Sequence, residues 1–239
     1  MRALALLLCA LLALAAPARA AEPAEDGPVD VALVLVSDVS RSIDDSEFDL
    51  QKRGYGAAFT DPRVIAAIHG GPAGAIAVAY VEFASLGEVR TVLDWSVLRD
   101  DASARDFAAR LLAAPRSFRG RTAIGAGIDE AMQDLAASGF KGARQVIDVC
   151  GDGTSNSGPP VEAERDRAVA AGVTINGLTI INDHPVSYIY AHVQPPGGLT
   201  NWYRAHVTGG PGSFVVEVHA FADFGRAMTR KLIDEIATR

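Results

Sequence analysis

The sequence predicts an α/β fold with a doubly wound, mostly parallel sheet, one antiparallel edge strand and helices on both faces. Three observations support this fold class. Strand-like and helix-like segments alternate along most of the chain, which is typical of a sheet whose crossovers are helices. Several strand segments are continuous aliphatic runs, as expected of strands buried on both faces. The segments 75–83 and 89–95 are joined by only five residues, which allows a hairpin but no crossover.

The first strand and the first helix have clear sequence signals. Residues 29–36 form a run of β-branched and aliphatic side chains, as in a central strand. Asp44, Asp45 and Ser46 then offer N-cap residues to a helix over 47–59.

The rest of the chain continues the alternation. Asp61-Pro62 ends the first helix, because proline cannot continue it. A less regular stretch, rich in Tyr, His and Pro, occupies 182–199. The remaining predicted elements are, besides the hairpin, helices at 103–113, 123–137, 161–171, 201–206 and 221–236 and strands at 145–150, 173–181 and 214–218.

The first twenty residues have the layout of a secretory signal peptide that is cut after Ala20. An arginine precedes an unbroken apolar run at 3–16, and a proline and a small-x-small triplet follow it. A run of fourteen residues is too short to span a bilayer. We therefore expect a periplasmic or secreted protein that is not membrane-spanning, with a short lead at 21–28 and a single domain at 29–239.

Charge and cysteine content exclude some function classes. The chain has 22 basic and 29 acidic side chains and a formal charge of -7, and loss of residues 1–20 would leave -9. No clustered basic face is visible, so nucleic-acid binding is excluded. Cys150 would be the only cysteine of the mature chain. It lies in an apolar strand, which favours a buried strand residue over the nucleophile of a Cys–His hydrolase.

Polar side chains follow two of the predicted strands and could share one crevice. In open α/β sheets the working loops lie at the carboxyl ends of the strands. Asp38, Ser40 and Ser42 follow the first strand, Asp152 follows the fourth, and Thr122 opens a helix from a third loop. Carboxylate and hydroxyl oxygens suit a hard divalent cation, Mg²⁺ or Mn²⁺, whereas zinc prefers imidazole or thiolate.

Each of these residues also has a simpler interpretation. Asp38, Ser40 and Ser42 could cap the following helix, Thr122 could be the N-cap of the helix at 123–137, and Asp152 could cap the helix at 161–171 or stabilise its glycine-rich turn.

The same residues carry a resemblance to a known family. Asp38-Val39-Ser40-Arg41-Ser42 resembles the DxSxS loop of von Willebrand factor A (VWA) domains, and Thr122 and Asp152 fall where that family has its metal-site threonine and second aspartate. The resemblance implies a metal-ion-dependent adhesion site (MIDAS) at Asp38, Ser40, Ser42, Thr122 and Asp152. Val39 and Gly151 depart from the pattern, because many relatives have glycine and a hydroxyl residue at these positions.

Further stretches resemble an exported bacterial branch of this superfamily whose function is uncharacterised. They are residues 48–55, 146–153, 172–178 and 231–236, so the resemblance spans nearly all of the mature chain.

The expected function is that of a non-catalytic binding module. A protein partner presenting Asp or Glu would complete the coordination of the metal, and the loops around Arg41, Thr122 and Asn156 would select that partner. Asn156 has a simpler role as a brace of its own loop. Two alternatives remain open: a metal-assisted hydrolase, for which Asp44 and Asp45 are the nearby candidate bases, and a metal-independent envelope scaffold.

A group of arginines flanks the threonine of the predicted site. They could present a basic surface to an acidic partner, or they could be ordinary solvated residues. They are Arg116, Arg119 and Arg121.

Overall fold

The structure is a computed structural model and describes residues 27–181 and 195–237. The predicted signal peptide lies outside the described residues, as do most of the short lead and most of the irregular stretch at 182–199. No helix of the described part is both long enough and apolar enough to cross a membrane.

A six-stranded sheet forms the centre of the molecule, in the order β3-β2-β1-β4-β5-β6. All neighbouring strands are parallel except β2 and β3, which form an antiparallel hairpin at one edge. The predicted fold class is therefore confirmed. The strands are β1 (Val31–Asp38), β2 (Ile76–Phe83), β3 (Val89–Leu98), β4 (Arg144–Gly151), β5 (Thr174–Ile180) and β6 (Val215–Val218).

Helices cover both faces of the sheet, as expected. One face packs against α1, α2, α3 and α7, and the other against α4, α5 and α6. The helices are α1 (Asp45–Phe59), α2 (Pro62–His69), α3 (Asp101–Ala113), α4 (Ile124–Ala137), α5 (Val161–Ala170), α6 (Leu199–His206) and α7 (Phe224–Ala237), the last preceded by a 3₁₀ turn at Phe221–Asp223.

The central strand β1 explains why the two layers stay together. Alternate side chains of a strand point to opposite faces, so Leu33 and Leu35 join the core on one side, whereas Val34 and Val36 join the core on the other. Every residue of β1 is buried. Its aliphatic run thus serves two cores at once, and Cys150 is a buried residue of the neighbouring strand, as predicted.

Helix α2 is an element that the sequence interpretation missed. Asp61-Pro62 was expected only to end the first helix, but it also begins a second one. The Asp61 carboxylate accepts a hydrogen bond from Arg63 N at 2.8 Å, and Pro62 occupies the first turn, where its missing N–H costs nothing. Val64, Ile65 and Ile68 then pack into the core.

The position of β1 in the sheet defines a crevice. The chain runs outward from β1 to β2 and β3 on one side, and β4, β5 and β6 extend on the other. The strand order therefore reverses between β1 and β4, which is the point where open α/β sheets bind ligands.

Candidate metal centre

Two aspartates meet at this crevice because the strands that carry them are neighbours. Asp38 is the last residue of β1, and Asp152 follows the last residue of β4. The two strands are parallel and paired through Ser37 and Cys150, so both carboxylates lie at the same edge. Asp38 is fully buried and Asp152 is nearly so.

A chain of polar contacts joins all five residues of the predicted site. Ser40 N donates to Asp38 Oδ1 at 2.7 Å. The hydroxyls of Ser40 and Ser42 lie 3.1 Å apart, and Ser42 Oγ donates to Asp152 Oδ1 at 2.8 Å. Thr122 Oγ1 donates to Ser40 Oγ at 3.3 Å. The structure therefore brings three loops together at one cluster of oxygens.

The electrostatics of this cluster favour a cation. Burial, followed by repulsion from Asp152, raises the pKa of Asp38 from 3.8 to about 8. Within the described part of the chain, Asp38 Oδ2 is buried and accepts no hydrogen bond. A buried carboxylate oxygen without a partner is costly. A divalent cation would offset both the repulsion and the missing contact, so the residues present fit such an ion.

The helix-capping alternatives do not match the geometry. Asp44 is the N-cap of α1, and it accepts from Glu47 N at 2.9 Å while Glu47 Oε2 accepts from Asp44 N at 2.8 Å. Helices α4 and α5 have Ala123 and Pro160 at their N-caps, and neither N-cap makes a side-chain hydrogen bond. The site residues are thus not used as helix caps.

Asn156 braces the site from the outside. Its Oδ1 accepts from Thr122 N at 3.0 Å, and its own N donates to Thr122 O at 2.8 Å. These hydrogen bonds join the loop of Asn156 to the loop of Thr122, whereas the sequence suggests a turn within the Asn156 loop alone. Arg41, by contrast, has an exposed side chain beside the serines.

Arg116 holds a loop of the candidate site. The sequence suggests that it belongs to an exposed basic group, yet its side chain is only 6% exposed. Its Nη2 lies 2.8, 2.7 and 2.8 Å from the carbonyl oxygens of Val39, Ser40 and Ile43. The guanidinium therefore clamps the backbone of the loop that carries Ser40 and Ser42.

Tyr203 is a second residue that the sequence did not reveal. Its hydroxyl is buried and has no hydrogen-bond partner within the described residues. A Cβ placed on Gly151 would lie 2.6 Å from this hydroxyl and 3.2 Å from Asp38 Oδ2. The tyrosine thus occupies the space that a side chain at position 151 would need, which explains this departure from the family pattern.

The donor set is mostly hydroxyl. Among residues 27–181 and 195–237, no three or more His, Cys, Asp or Glu side chains are grouped so that they could hold a metal ion. Two carboxylates and three hydroxyls are oxygen donors, which suit a hard divalent cation.

Comparison with known families identifies the chain. The model of a family described as "Protein of unknown function (DUF1194)" matches residues 28–239. The chain belongs to this family. No curated protein matches the chain.

Solved structures with the same fold include VWA proteins. The zinc-occupied MIDAS form of proximal thread matrix protein 1 from the mussel byssus is 17% identical with a TM-score of 0.61, over 88% of this chain and 48% of that chain. The vWF domain of the type V pili tip protein Mfa5 from Porphyromonas gingivalis is 12% identical with a TM-score of 0.57, over 89% of this chain and 98% of that chain.

A pilus adhesin shares the fold as well. SpaC from Lactobacillus rhamnosus GG is 14% identical with a TM-score of 0.60, over 87% of this chain and 31% of that chain. The chain thus spans about half the length of the mussel protein and about a third of the adhesin. These likenesses confirm the predicted VWA fold.

Proposed function

We propose that this DUF1194 member is a non-catalytic protein-binding module of the adhesion type that holds Mg²⁺ or Mn²⁺ at Asp38, Ser40, Ser42, Thr122 and Asp152. The observation that carries the proposal is the buried carboxyl pair at the switch point of the sheet, linked through hydroxyls and with Asp38 Oδ2 unpaired. A bound ion would supply positive charge and an open coordination position for an Asp or Glu of the partner.

The chain's own residues prepare the site for that role. Ser42 orients Asp152 through its hydroxyl, and Ser40 N orients the carboxylate of Asp38. Asn156 holds the Thr122 loop in place from outside. Arg41 is exposed beside the cluster, and we assign it to partner contact. The partner is a protein and not a nucleic acid, because the chain as a whole is acidic.

Two neighbours support a binding role through their descriptions. One of the matching proteins is a pilus adhesin, and another is a pili tip protein. We extend this role to the present chain. We also propose that the chain is exported, with a signal peptide at 1–20, a short lead at 21–28 and a binding domain at 29–239. Mass spectrometry of the protein recovered after expression with its own leader tests the cleavage after Ala20.

The hydrolase alternative gains no support from its two candidate bases. Asp44 accepts hydrogen bonds at the start of α1, and its pKa is lowered by hydrogen bonds from Glu47 and Ser46, against the opposing effect of burial. Asp45 pairs with Arg119 at 2.5 Å. Both carboxylates are therefore engaged with their neighbours.

Isothermal titration calorimetry tests the metal assignment. Mg²⁺ and Mn²⁺ are titrated into the full chain and into Asp38→Asn, which keeps the shape of the side chain and removes its charge. Asp106→Asn, on the exposed face of α3, is the matched control. We expect binding by the wild type and the control and none by Asp38→Asn. Equal heats from all three proteins, or no heat from the wild type, would refute the assignment.

A chelator experiment separates the module from a metal-independent scaffold. Acidic protein ligands that bind in Mg²⁺ should be released by EDTA if the ion completes the interface. Binding that survives chelation would favour the scaffold.

A further inference from the structure

One apolar side chain stands out at the metal end of the sheet. Leu86 is 68% exposed, and among the described residues only Leu112, at 48%, is another large exposed apolar side chain. A single exposed leucine is ordinary on a protein surface. Leu86 differs from such a residue because it lies beside the candidate metal centre and is carried by a hydrogen-bonded turn.

The turn that carries Leu86 connects β2 to β3 and is firmly held. Glu88 N donates to Ser85 O at 2.8 Å, and Ser85 N donates to Glu88 Oε2 at 3.1 Å. Ala84 N donates to Glu88 O at 2.8 Å. Gly87 has a φ of 82°, a conformation that glycine adopts without strain. The leucine is thus presented by an ordered turn, so little conformational entropy is lost when a partner covers it.

Hydrogen bonds connect this turn directly to the loops of the candidate metal centre. Leu86 N donates to Ser157 Oγ at 3.2 Å, next to the brace residue Asn156. Arg121 N donates to Ser85 Oγ at 2.7 Å, and Ala123 N donates to Ala84 O at 2.7 Å. The residues on either side of Thr122 are therefore bonded to the Leu86 turn.

Exposed arginines lie on the loops next to the Leu86 turn although the chain is acidic, and the one carboxylate of the turn itself, Glu88, accepts a hydrogen bond from Ser85 N. Arg41 and Arg121 have exposed side chains, and Arg41 N donates to Gly120 O at 3.0 Å. Arg119 is 60% exposed and shares Asp45 with Arg116. Complementary charge steers an acidic partner toward such a surface and orients it there.

We propose that Leu86, Arg41 and Arg121 form an interaction surface for an acidic protein segment that places an aliphatic or aromatic side chain beside its metal-binding carboxylate. This inference rests on the proposed function and specifies its partner. The carboxylate would approach the cluster of Asp38 and Asp152, the apolar side chain would cover Leu86, and flanking acidic residues would face the arginines.

Peptide selection in Mg²⁺ tests the inference. Random short peptides displayed on phage are selected on the immobilised full chain in Mg²⁺ and, in parallel, in EDTA. The consensus peptide and a version with its apolar residue replaced by serine are then synthesised. Their affinities are measured for the wild type, Leu86→Ser and Leu112→Ser. Leu112 is the matched control because it is the other exposed leucine of the described residues and lies near Gly56 of α1, outside the proposed surface.

We expect Mg²⁺-dependent peptides that are rich in Asp and Glu and carry an apolar residue. Leu86→Ser should weaken the consensus peptide by about tenfold, from loss of apolar burial, and should abolish the effect of the serine replacement in the peptide. Leu112→Ser should bind as the wild type does.

The outcomes that overturn the inference differ from those that overturn the proposed function. Acidic Mg²⁺-dependent peptides with no apolar preference, or equal affinity of Leu86→Ser and the wild type, refute the Leu86 surface and leave the metal module standing. Absence of Mg²⁺-dependent acidic peptides refutes both. Self-association of the wild type that Leu86→Ser abolishes would identify a second copy as the occupant and would also refute the acidic partner.

Discussion

Replacement of Arg116 by methionine should weaken both the fold and the metal centre. Methionine keeps a stem that can pack against Phe48, over whose ring the guanidinium now lies at 5.4 Å. It removes the donors to the loop that carries Ser40, and also the bond from Nε to Phe118 O at 3.0 Å. The comparison therefore isolates the loss of hydrogen bonds and charge.

The geometry sets the size of the effect. Nη2 carries two hydrogens but faces three carbonyl oxygens, so with Nε the guanidinium makes about three good bonds. Charge-assisted bonds are worth roughly 1.5–3 kcal/mol each. Desolvation opposes them, since burial lowers the pKa of Arg116 below its ordinary value. We therefore expect a loss of about 3 kcal/mol in the free energy of unfolding.

Two assays measure this loss. Urea unfolding in EDTA reports the stability of the chain without metal, and calorimetry reports Mg²⁺ affinity, which should fall by about tenfold as the loop loosens. Arg119→Met is the matched control, because that exposed side chain pairs only on the surface, and it should change stability by less than about 1 kcal/mol. Unchanged stability and unchanged Mg²⁺ affinity in Arg116→Met would show that the hydrogen bonds of Arg116 support neither the fold nor the metal centre.

Three further predictions concern other parts of the chain. Gly151→Ala should reduce Mg²⁺ affinity in calorimetry, because its Cβ would lie 2.6 Å from the hydroxyl of Tyr203; Tyr203→Phe should restore it, and failure to do so would refute the steric explanation. Burial raises the pKa of Asp148 from 3.8 to about 7. This group therefore stabilises the folded chain at low pH and loses that contribution as pH rises from about 4 to about 7, at about 1.4 kcal/mol per pH unit, so that about 3 kcal/mol is lost between about pH 5 and about pH 8. Urea unfolding at about pH 5 and about pH 8 should show that fall in the wild type and a smaller one in Asp148→Asn; equal falls would contradict it. Asp61→Ala should cost about 1 kcal/mol by removing the cap of α2, whereas a cost near zero in thermal unfolding would show that packing alone holds that helix.

Sequence patterns predicted the architecture well because they report local and periodic properties. The aliphatic run of β1 indicated a strand buried on both faces, and the short link before β3 indicated a hairpin. Asp61-Pro62 was informative too, but a break in one helix and the beginning of the next have the same sequence signal, and α2 was missed for that reason.

Interactions between distant parts of the chain were harder to predict. Arg116 lies 77 residues from Val39 in sequence, and nothing near it in the chain distinguishes it from its exposed neighbours Arg119 and Arg121. Tyr203 resembles any other aromatic residue of an amphipathic helix. Its hydroxyl becomes meaningful only because Gly151 leaves room for it beside Asp38.

The amino-acid sequence alone determines the fold class, the resemblance to VWA domains and the residues whose oxygen atoms are candidate metal ligands. Hydrophobic periodicity and loop composition carry that information, since both are local. Only the tertiary structure decides which polar groups are buried together. In the folded chain Asp38 is buried beside Asp152, and Arg116 donates hydrogen bonds to the backbone of the loop that carries Ser40. Leu86 is exposed on a hydrogen-bonded turn. Burial and contact depend on segments far apart in the chain, and for that reason the pKa shift of Asp38, the contacts of Arg116 and the exposure of Leu86 follow only from the folded molecule.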